Sequence, residues 1–569
     1  MTKEKIAKVI SVLPDKIKIS VNDIEQFKID NEKFSVGSYL RVTDHDEGAL
    51  LCVIETFEIA NKDDEDNYIL EALPLGFIDS NQEFIRGGNN IAIPPTGVES
   101  ARRSEISKVY NSIESTNEFA FSNLLQDITI PIPVNGNNFF NKHLAIVGAT
   151  GSGKSHTVSS ILQQVLKSKN TADISMNNSH IILFDIHNEY HSAFPNCNFL
   201  DGSNIKLPYW LMNGEEIEEM FIESSEFQSY NQISLLRKVI LKNKYKHNKE
   251  ISSLSFDTPV RFDIKEVFNC ITNLSKETIS YSDVNESCFR DNNETFTSEE
   301  EKYNKYFEEI FEFSEPARNK VKKGPYNDGS LQKFLTRLQN KISNKRLKFV
   351  FSEESKNSDT EDVIRQLIGY LNTKNITIID LSGIPFEILS ITVSLISRLL
   401  FDFAYMYKNN KDDNNFEDNP LLLVYEEAHK YVPKVDKAKY NSSRVAIERI
   451  TKEGRKYGIS AAIVSQRPSE ISETIFSQCS NFITMRLTNP DDQRYIKKLL
   501  PDSLGGVTDS LATLKEGEAI IIGDSIVLPT LVKIRKCNPE PKSQSIKFLD
   551  HWTKEWYDFD FKKVTKYWK

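Results

Sequence analysis

Cysteine is scarce, and its spacing excludes more than its number. Six cysteines stand in 569 residues, at 52, 197, 270, 288, 479 and 537, with no C-x-x-C pair. That argues against a disulfide framework and against a zinc site, and suits a reducing compartment. No apolar run is expected to reach the length of a membrane span. The start, Met-Thr-Lys-Glu-Lys-Ile-Ala-Lys, has no signal-peptide apolar region. The expectation is therefore a cytoplasmic protein with no membrane partner. Positive charge is in deficit, with a formal net charge of −10. This speaks against a surface that coats nucleic acid uniformly, but leaves room for a local basic channel. Tryptophan is rare as well, four in all, yet Trp552, Trp556 and Trp568 fall in the tail.

What is present begins with one stretch. Leu144 to Thr157 reads Leu-Ala-Ile-Val-Gly-Ala-Thr-Gly-Ser-Gly-Lys-Ser-His-Thr. Gly148, Gly153, Lys154 and Ser155 fit G-x-x-x-x-G-K-[ST], the loop that cradles phosphates. Leu144 to Val147 reads as a buried strand. Val158, Ile161, Leu162 and Val165 recur at helical spacing after it. The nucleotide-binding set is thus Gly148, Ala149, Thr150, Gly151, Ser152, Gly153, Lys154, Ser155 and His156. Backbone N–H groups and the helix N-terminus attract phosphate. Lys154 should reach the β- and γ-phosphates of a nucleoside triphosphate, and Ser155 should hold Mg²⁺.

Residues 1–97 carry short strand-like runs separated by Pro, Gly, Asn and Asp, which predicts a small β-barrel or sandwich. Lys62 to Asp66 reads as a solvated loop. Residues 98–211 lead into and begin an α/β core. Pro131-Ile132-Pro133-Val134 cannot be a central strand, because proline removes ladder donors. Lys142 precedes the strand that feeds the glycine loop; it reads as a phosphate contact or as an exposed lysine. Ser179 to Phe184 is a strand whose end carries Asp185, His187 and Glu189. These either position Mg²⁺ and water or fix the loop. Residues 212–370 read as a helical insertion, divided by polar gaps such as Ser282 to Asn293. The core resumes over 371–540, with a strand at Ile376 to Leu381 and a long apolar helix from Ile388 to about Tyr407. Lys408 to Pro420 reads as a polar loop.

Leu421 to Tyr425 is apolar or aromatic and leads into Glu426 and Glu427. Glu426 would order Mg²⁺, and Glu427 would orient the attacking water, which is most of what phosphoryl transfer requires. Lys430 to Lys456 holds nine Lys/Arg against three acids, a net of +6 in an acidic chain. It reads as a lining for nucleic acid, a source of an arginine for a neighbouring γ-phosphate, or a solvated helix face. Ile459 to Pro468 is a strand running to a polar end, where Gln466 can sense the γ-phosphate or the attacking water. The segment 541–569 is rich in aromatics, which predicts docking on its own core or on a neighbouring subunit.

With these residues assembled, the chain resembles the HerA-type ATPases of the HerA–FtsK superfamily. Five motifs carry the likeness in order: Gly148 to Thr157, Asp185-x-His187-x-Glu189-Tyr190, Glu426-Glu427-Ala428-His429, Glu453 to Gly458 and Ser465 to Ser469. The resemblance implies an α/β fold with a RecA-like P-loop core, an N-terminal small β-barrel and a helical insertion. It implies Mg²⁺-dependent ATP hydrolysis by a homo-hexameric ring with double-stranded DNA in its pore. It also implies an arginine finger from the adjacent subunit, for which Arg455 is the first choice and Arg449 the second. Lys142 occupies the place of a basic residue that touches nucleotide in relatives. Many relatives have Asp then Glu at the strand end, where this chain has Glu426 and Glu427. Such ATPases work with a separate effector, a nuclease or a sirtuin-like NAD-consuming enzyme, in DNA processing or anti-phage defence. The barrel is the expected docking surface for it. Two other readings stay open: a nucleotide-shaped scaffold that regulates an effector without translocation, and a monomeric phosphate-loop switch.

Overall fold

Strand β10 (Leu144–Val147) shows how the core is built. Leu144 and Ile146 point into one apolar cluster, and Ala145 and Val147 into another on the opposite face. Alternation along a strand produces this directly. A strand buried on both faces belongs in the middle of a layered α/β sheet. The computed structural model describes residues 6–13, 16–27, 35–43, 48–59, 68–79, 81, 83–86, 97–110, 113–167, 178–222, 229–409, 418–434, 442–499, 510–543 and 546–566. The acidic run 62–66, most of the polar stretch 408–420, Asp436, Lys437, Lys439, Tyr567 and Trp568 lie outside them.

The first seven strands are β1 (Ala7–Val12), β2 (Ile17–Val21), β3 (Tyr39–Thr43), β4 (Ala49–Ile59), β5 (Tyr68–Ile78), β6 (Phe84–Arg86) and β7 (Gly97–Ser100). They form one antiparallel sheet of order β1-β2-β5-β4-β3-β7, with β6 on β5. It has its own core of Ile17, Ile19, Leu40, Val42, Cys52 and Leu70 among others. The expected barrel is realised as a curled sheet: β1 and β7 come into contact without pairing.

The large sheet has eleven strands. Its other members are β8 (Glu118–Leu124), β9 (Pro131–Asn135), β11 (His180–Asp185), β12 (Asn198–Leu200), β17 (Ile376–Asp380), β18 (Leu421–Tyr425), β19 (Ile459–Ser465), β20 (Asn481–Met485), β21 (Glu518–Gly523) and β22 (Thr530–Ile534). The order is β12-β17-β11-β18-β19-β10-β20-β21-β22-β8-β9. From β12 to β20 every pairing is parallel, and from β20 to β9 every pairing is antiparallel. The proline strand β9 is the outermost one, where a missing N–H disrupts no ladder on its free side.

Between β12 and β17 the polar stretch is not purely helical. It contains a four-stranded antiparallel sheet of β13 (Thr278–Ser280), β14 (Glu286–Cys288), β15 (Asn293–Thr295) and β16 (Val321–Lys323). The gap from Ser282 to Asn293 therefore includes β14. Three-residue strands carry almost no periodicity, so tertiary pairing makes them. Here Glu277, buried to 1% exposure, anchors them. It accepts hydrogen bonds from Ser287 Oγ (2.9 Å) and Tyr306 Oη (2.7 Å), and lies 2.5 Å from Lys302 Nζ.

The helix Phe386–Asn409 is long and apolar enough to cross a membrane, which the expectation of no such run missed. It is packed inside instead, with Ile391, Val393, Ile396 and Leu400 in the core. Of the two docking surfaces expected for the aromatic tail, its own core and a neighbouring subunit, the fold bears on the first. Over 546–566 the tail does not dock on its own core: Trp552, Tyr557, Phe559 and Phe561 are exposed, and Trp556 is 96% exposed.

Candidate active site

The carboxyl ends of β10, β11, β18 and β19 converge, because these parallel strands are neighbours in the sheet. After Val147 the glycine loop turns over the end of β10. Gly151 and Gly153 adopt φ of 72° and 99°, which glycine takes without a Cβ clash. The loop is pinned by backbone hydrogen bonds. Gly148 N–H donates to Ser465 O at 3.2 Å, Ala149 N–H to Arg486 O at 2.7 Å, and Gly517 N–H to Ser152 O at 3.0 Å. Lys154 opens the following helix, Lys154–Lys167, and its Nζ lies 3.4 Å from Ala149 O. Burial pulls the Lys154 pKa down, while Glu427, Glu426 and Glu189 pull it back up.

Glu426 and Glu427 follow β18 directly. Glu426 is buried to 3% exposure, and its Oε2 has no hydrogen-bond partner among the described residues. Burial, then the charges of Glu427, Asp185 and Glu189, push its pKa well above the carboxylate range. Glu427 differs. Its backbone is left-handed, φ 48° and ψ 45°, a strained setting for a residue with a side chain. Its Oε2 lies 3.2 Å from His429 Nδ1, which also lies 3.2 Å from Ser465 Oγ on β19. Burial would raise the Glu427 pKa. The His429 contact, Lys154 and Lys430 outweigh it and hold the pKa below the usual value. Of two adjacent glutamates, one is poised to gain a cation and the other is already a base.

The turn after β11 divides its roles. Buried Asp185 accepts backbone N–H groups from His187 (3.1 Å) and Tyr190 (3.0 Å), so it fixes the loop. Glu189 Oε2 accepts from Ser155 Oγ at 2.8 Å, so it joins the site. His187 Nε2 is 3.1 Å from Lys430 Nζ. Thr150 Oγ1 donates to Gln466 Oε1 at 2.6 Å, which ties the glycine loop to the end of β19.

Several expected residues lie elsewhere. Lys142 precedes the amino end of β10, so the whole strand separates it from its own glycine loop. It pairs with Asp524 at 2.9 Å. Arg449 pairs with Asp402 at 3.3 Å and stacks 4.2 Å over the Phe401 ring. Arg455 is exposed in the turn Gly454–Tyr457, just before the amino end of β19. Within one chain, none of these three reaches the phosphate loop. His156 Nδ1 lies 3.4 Å from Cys537 Sγ, beside the segment that follows β22.

Sequence reasoning missed Arg486, His429 and Ser465 as site residues. Arg486 holds the loop through its carbonyl, and its Nη2 is 3.4 Å from Gly151 O. The signal was available: Arg486 ends an apolar strand run, as Gln466 does.

Residues 119–400 match the family described as Helicase HerA, central domain. The DNA double-strand break repair helicase HerA of Saccharolobus solfataricus is 26% identical over 449 residues, covering 78% of this chain and 73% of its own. Residues 119–400 carry the HerA helicase central domain. A probable DNA double-strand break repair helicase HerA of Methanocaldococcus jannaschii is 25% identical over 549 residues, 92% of this chain and 95% of its own. The HerA of Pyrococcus furiosus is 36% identical over 143 residues, 24% of this chain and 25% of its own. Among solved structures, VirB4 of Thermoanaerobacter pseudethanolicus covers 75% of this chain and 98% of its own, at 13% identity and a TM-score of 0.45. With this domain the chain is a P-loop enzyme, and Lys154, Ser155, Glu426, Glu427 and Gln466 meet at one end of its sheet.

Proposed function

We propose that this HerA-type chain is an ATP-hydrolysing cytoplasmic motor that assembles as a homo-hexameric ring and engages double-stranded DNA. One observation carries the ring reading. The phosphate loop and both glutamates sit at the carboxyl edge of the sheet, whereas Lys142, Arg449 and Arg455 sit toward the amino edge. Arg455 makes no hydrogen bond or ion pair among the described residues. A neighbouring subunit whose amino edge faces this carboxyl edge would complete the site.

In that site Lys154 neutralises the β- and γ-phosphates, and Gln466, through Thr150, senses the γ-phosphate. Glu427 accepts a hydrogen bond from water and aims it at the γ-phosphorus. Ser155 and Glu426 would hold Mg²⁺, and the partnerless Glu426 Oε2 fits that role. The metal, when bound, supplies charge neutralisation for the leaving group. DNA-stimulated ATP turnover should vanish in Lys154→Ala and Glu427→Ala. Turnover unaffected by both changes would sink the motor. Mass measurement with and without ATP tests the ring, since a persistent monomer contradicts a neighbour's arginine.

A scaffold for a separate effector, a nuclease or sirtuin-like enzyme serving anti-phage defence and docking on the N-terminal sheet, is the second reading. Two features are compatible with it: the acidic net charge of −10, and Glu426 at the place where many relatives have Asp. Effector activity that survives in Glu427→Gln, and also survives loss of DNA binding, would support the scaffold over the motor.

A further inference from the structure

The inserted region carries a basic groove that the nucleotide site does not use. It lies between the helix Gln332–Ser343, the turn Lys345–Leu347 and the start of the long helix Phe386–Asn409, and has a volume of about 700 Å³. Lys333, Arg337 and Lys341 recur every four residues and so share one face of their helix. Arg346 joins them, and Glu387 is the lone acid in the lining. Four cations against one carboxylate give a local +3 in a chain of −10.

Three other lysines of the inserted region are held in ion pairs. Lys238 pairs with Glu299 at 2.5 Å, Lys265 with Glu353 at 3.0 Å, and Lys302 with Glu277 at 2.5 Å. In the groove, Lys341 pairs with Glu387 at 2.9 Å, and Arg337 Nη1 donates to Phe221 O at 3.2 Å. Lys333 and Arg346 have no side-chain partner among the described residues. Phe386 stands on the opposite wall, 64% exposed. Asn340 and Asn344 add amide donors and acceptors.

Free cations, amides and an open aromatic face on one groove make a specific combination. Cations alone suit any polyanion. The aromatic face has a use only where bases are unstacked, because duplex stacking hides the base faces. We propose that this groove binds single-stranded nucleic acid, with phosphates on Lys333, Arg337 and Arg346 and a base stacked on Phe386.

The groove connects to the nucleotide site through β17, four strands from β10 in the sheet. Phe386 follows β17, whose last residue, Asp380, is paired with Asp185. Leu381 N–H donates to Asp185 O at 2.8 Å. Asp185 fixes the turn that presents Glu189 to Ser155. The proposal does not rest on duplex engagement, which is read through Lys154 and Glu427.

The test is fluorescence anisotropy of the full chain with labelled dT20, U20 and a 20-base-pair duplex. Phe386→Ala should weaken single-strand binding at least about fivefold, with Phe386→Trp retaining it. The pair Lys333→Glu and Arg346→Glu should weaken it about tenfold or more and flatten its salt dependence. Duplex affinity should stay within about twofold throughout. Tighter binding of dT20 or of U20 decides between DNA and RNA, and either supports the groove. ATP turnover without nucleic acid reports folding, and the single Phe386 change stands if the double variant does not fold. Single-strand affinity unchanged in the Phe386→Ala variant, or no single-strand binding by the wild type at low salt, would overturn the proposal.

Discussion

Ser155 Oγ donates to Glu189 Oε2 at 2.8 Å, so the hydroxyl expected to meet a metal is held by a carboxylate from the turn after β11. Glu189 thereby orients the Ser155 side chain and adds negative charge beside it.

Removing Glu189 should loosen Mg²⁺ use without abolishing nucleotide binding. Glu189→Ala should raise the Mg²⁺ concentration for half-maximal ATP turnover several-fold and lower kcat roughly tenfold, since a second-layer carboxylate typically tunes affinity by 10–100-fold. Steady-state turnover across a Mg²⁺ titration reads both. An unchanged titration would leave Glu189 with a structural role only.

His429 Nδ1 lies 3.2 Å from Glu427 Oε2 and 3.2 Å from Ser465 Oγ, so one ring nitrogen meets both. His429 is a positioning residue. His429→Ala should lower kcat by about tenfold to a hundredfold with KM for ATP nearly constant, the signature of an interaction used only in the transition state. Ser465→Ala should produce a smaller effect in the same direction. A rise in KM at constant kcat would place His429 in binding instead.

Arg455 should act on a neighbour's ATP. Arg455→Ala and Lys154→Ala chains, each inactive alone, should regain part of the turnover when co-assembled. Interfaces that pair an intact Lys154 with an intact Arg455 would then form. Arginine fingers contribute on the order of 10³-fold or more to turnover, so recovery stands well above background. Mixed assemblies that stay inactive would assign Arg455 to another task.

His143 makes the fold acid-sensitive. Burial, more than the nearby Arg455, lowers its pKa to about 4. Its Nδ1 accepts the Ala461 N–H at 3.1 Å, which requires that nitrogen to be unprotonated. The unfolded chain takes up this proton near pH 6.5 and the folded chain only near 4, so the stabilisation is complete above 6.5 and is lost as pH falls toward 4. The full difference is on the order of 3 kcal/mol. His143→Asn keeps an acceptor and tolerates the φ of 50° found there. Its thermal midpoint should fall less than the wild type's, by a few degrees, between pH 7 and pH 5. Parallel losses in the two proteins would refute the assignment.

The sequence by itself determined whatever is built from consecutive residues. Gly148 to Ser155 is a loop and helix start, and Glu426 and Glu427 end an apolar strand, so local order places each group at the carboxyl edge. The prolines at 131 and 133 likewise dictated an edge strand. Only the tertiary structure decided where the other cations go. A connection between two parallel strands must carry the chain from one edge of the sheet to the other. Lys430 therefore stays beside the phosphate loop, while Arg455, in the same basic run, ends at the far edge. Lys142, six residues before Gly148, is separated from the loop by the length of β10. The contact from His429 to Ser465, the left-handed backbone of Glu427, the paired strand β14 and the exposed tail share that origin. Each depends on which distant segments meet, and local periodicity does not encode that.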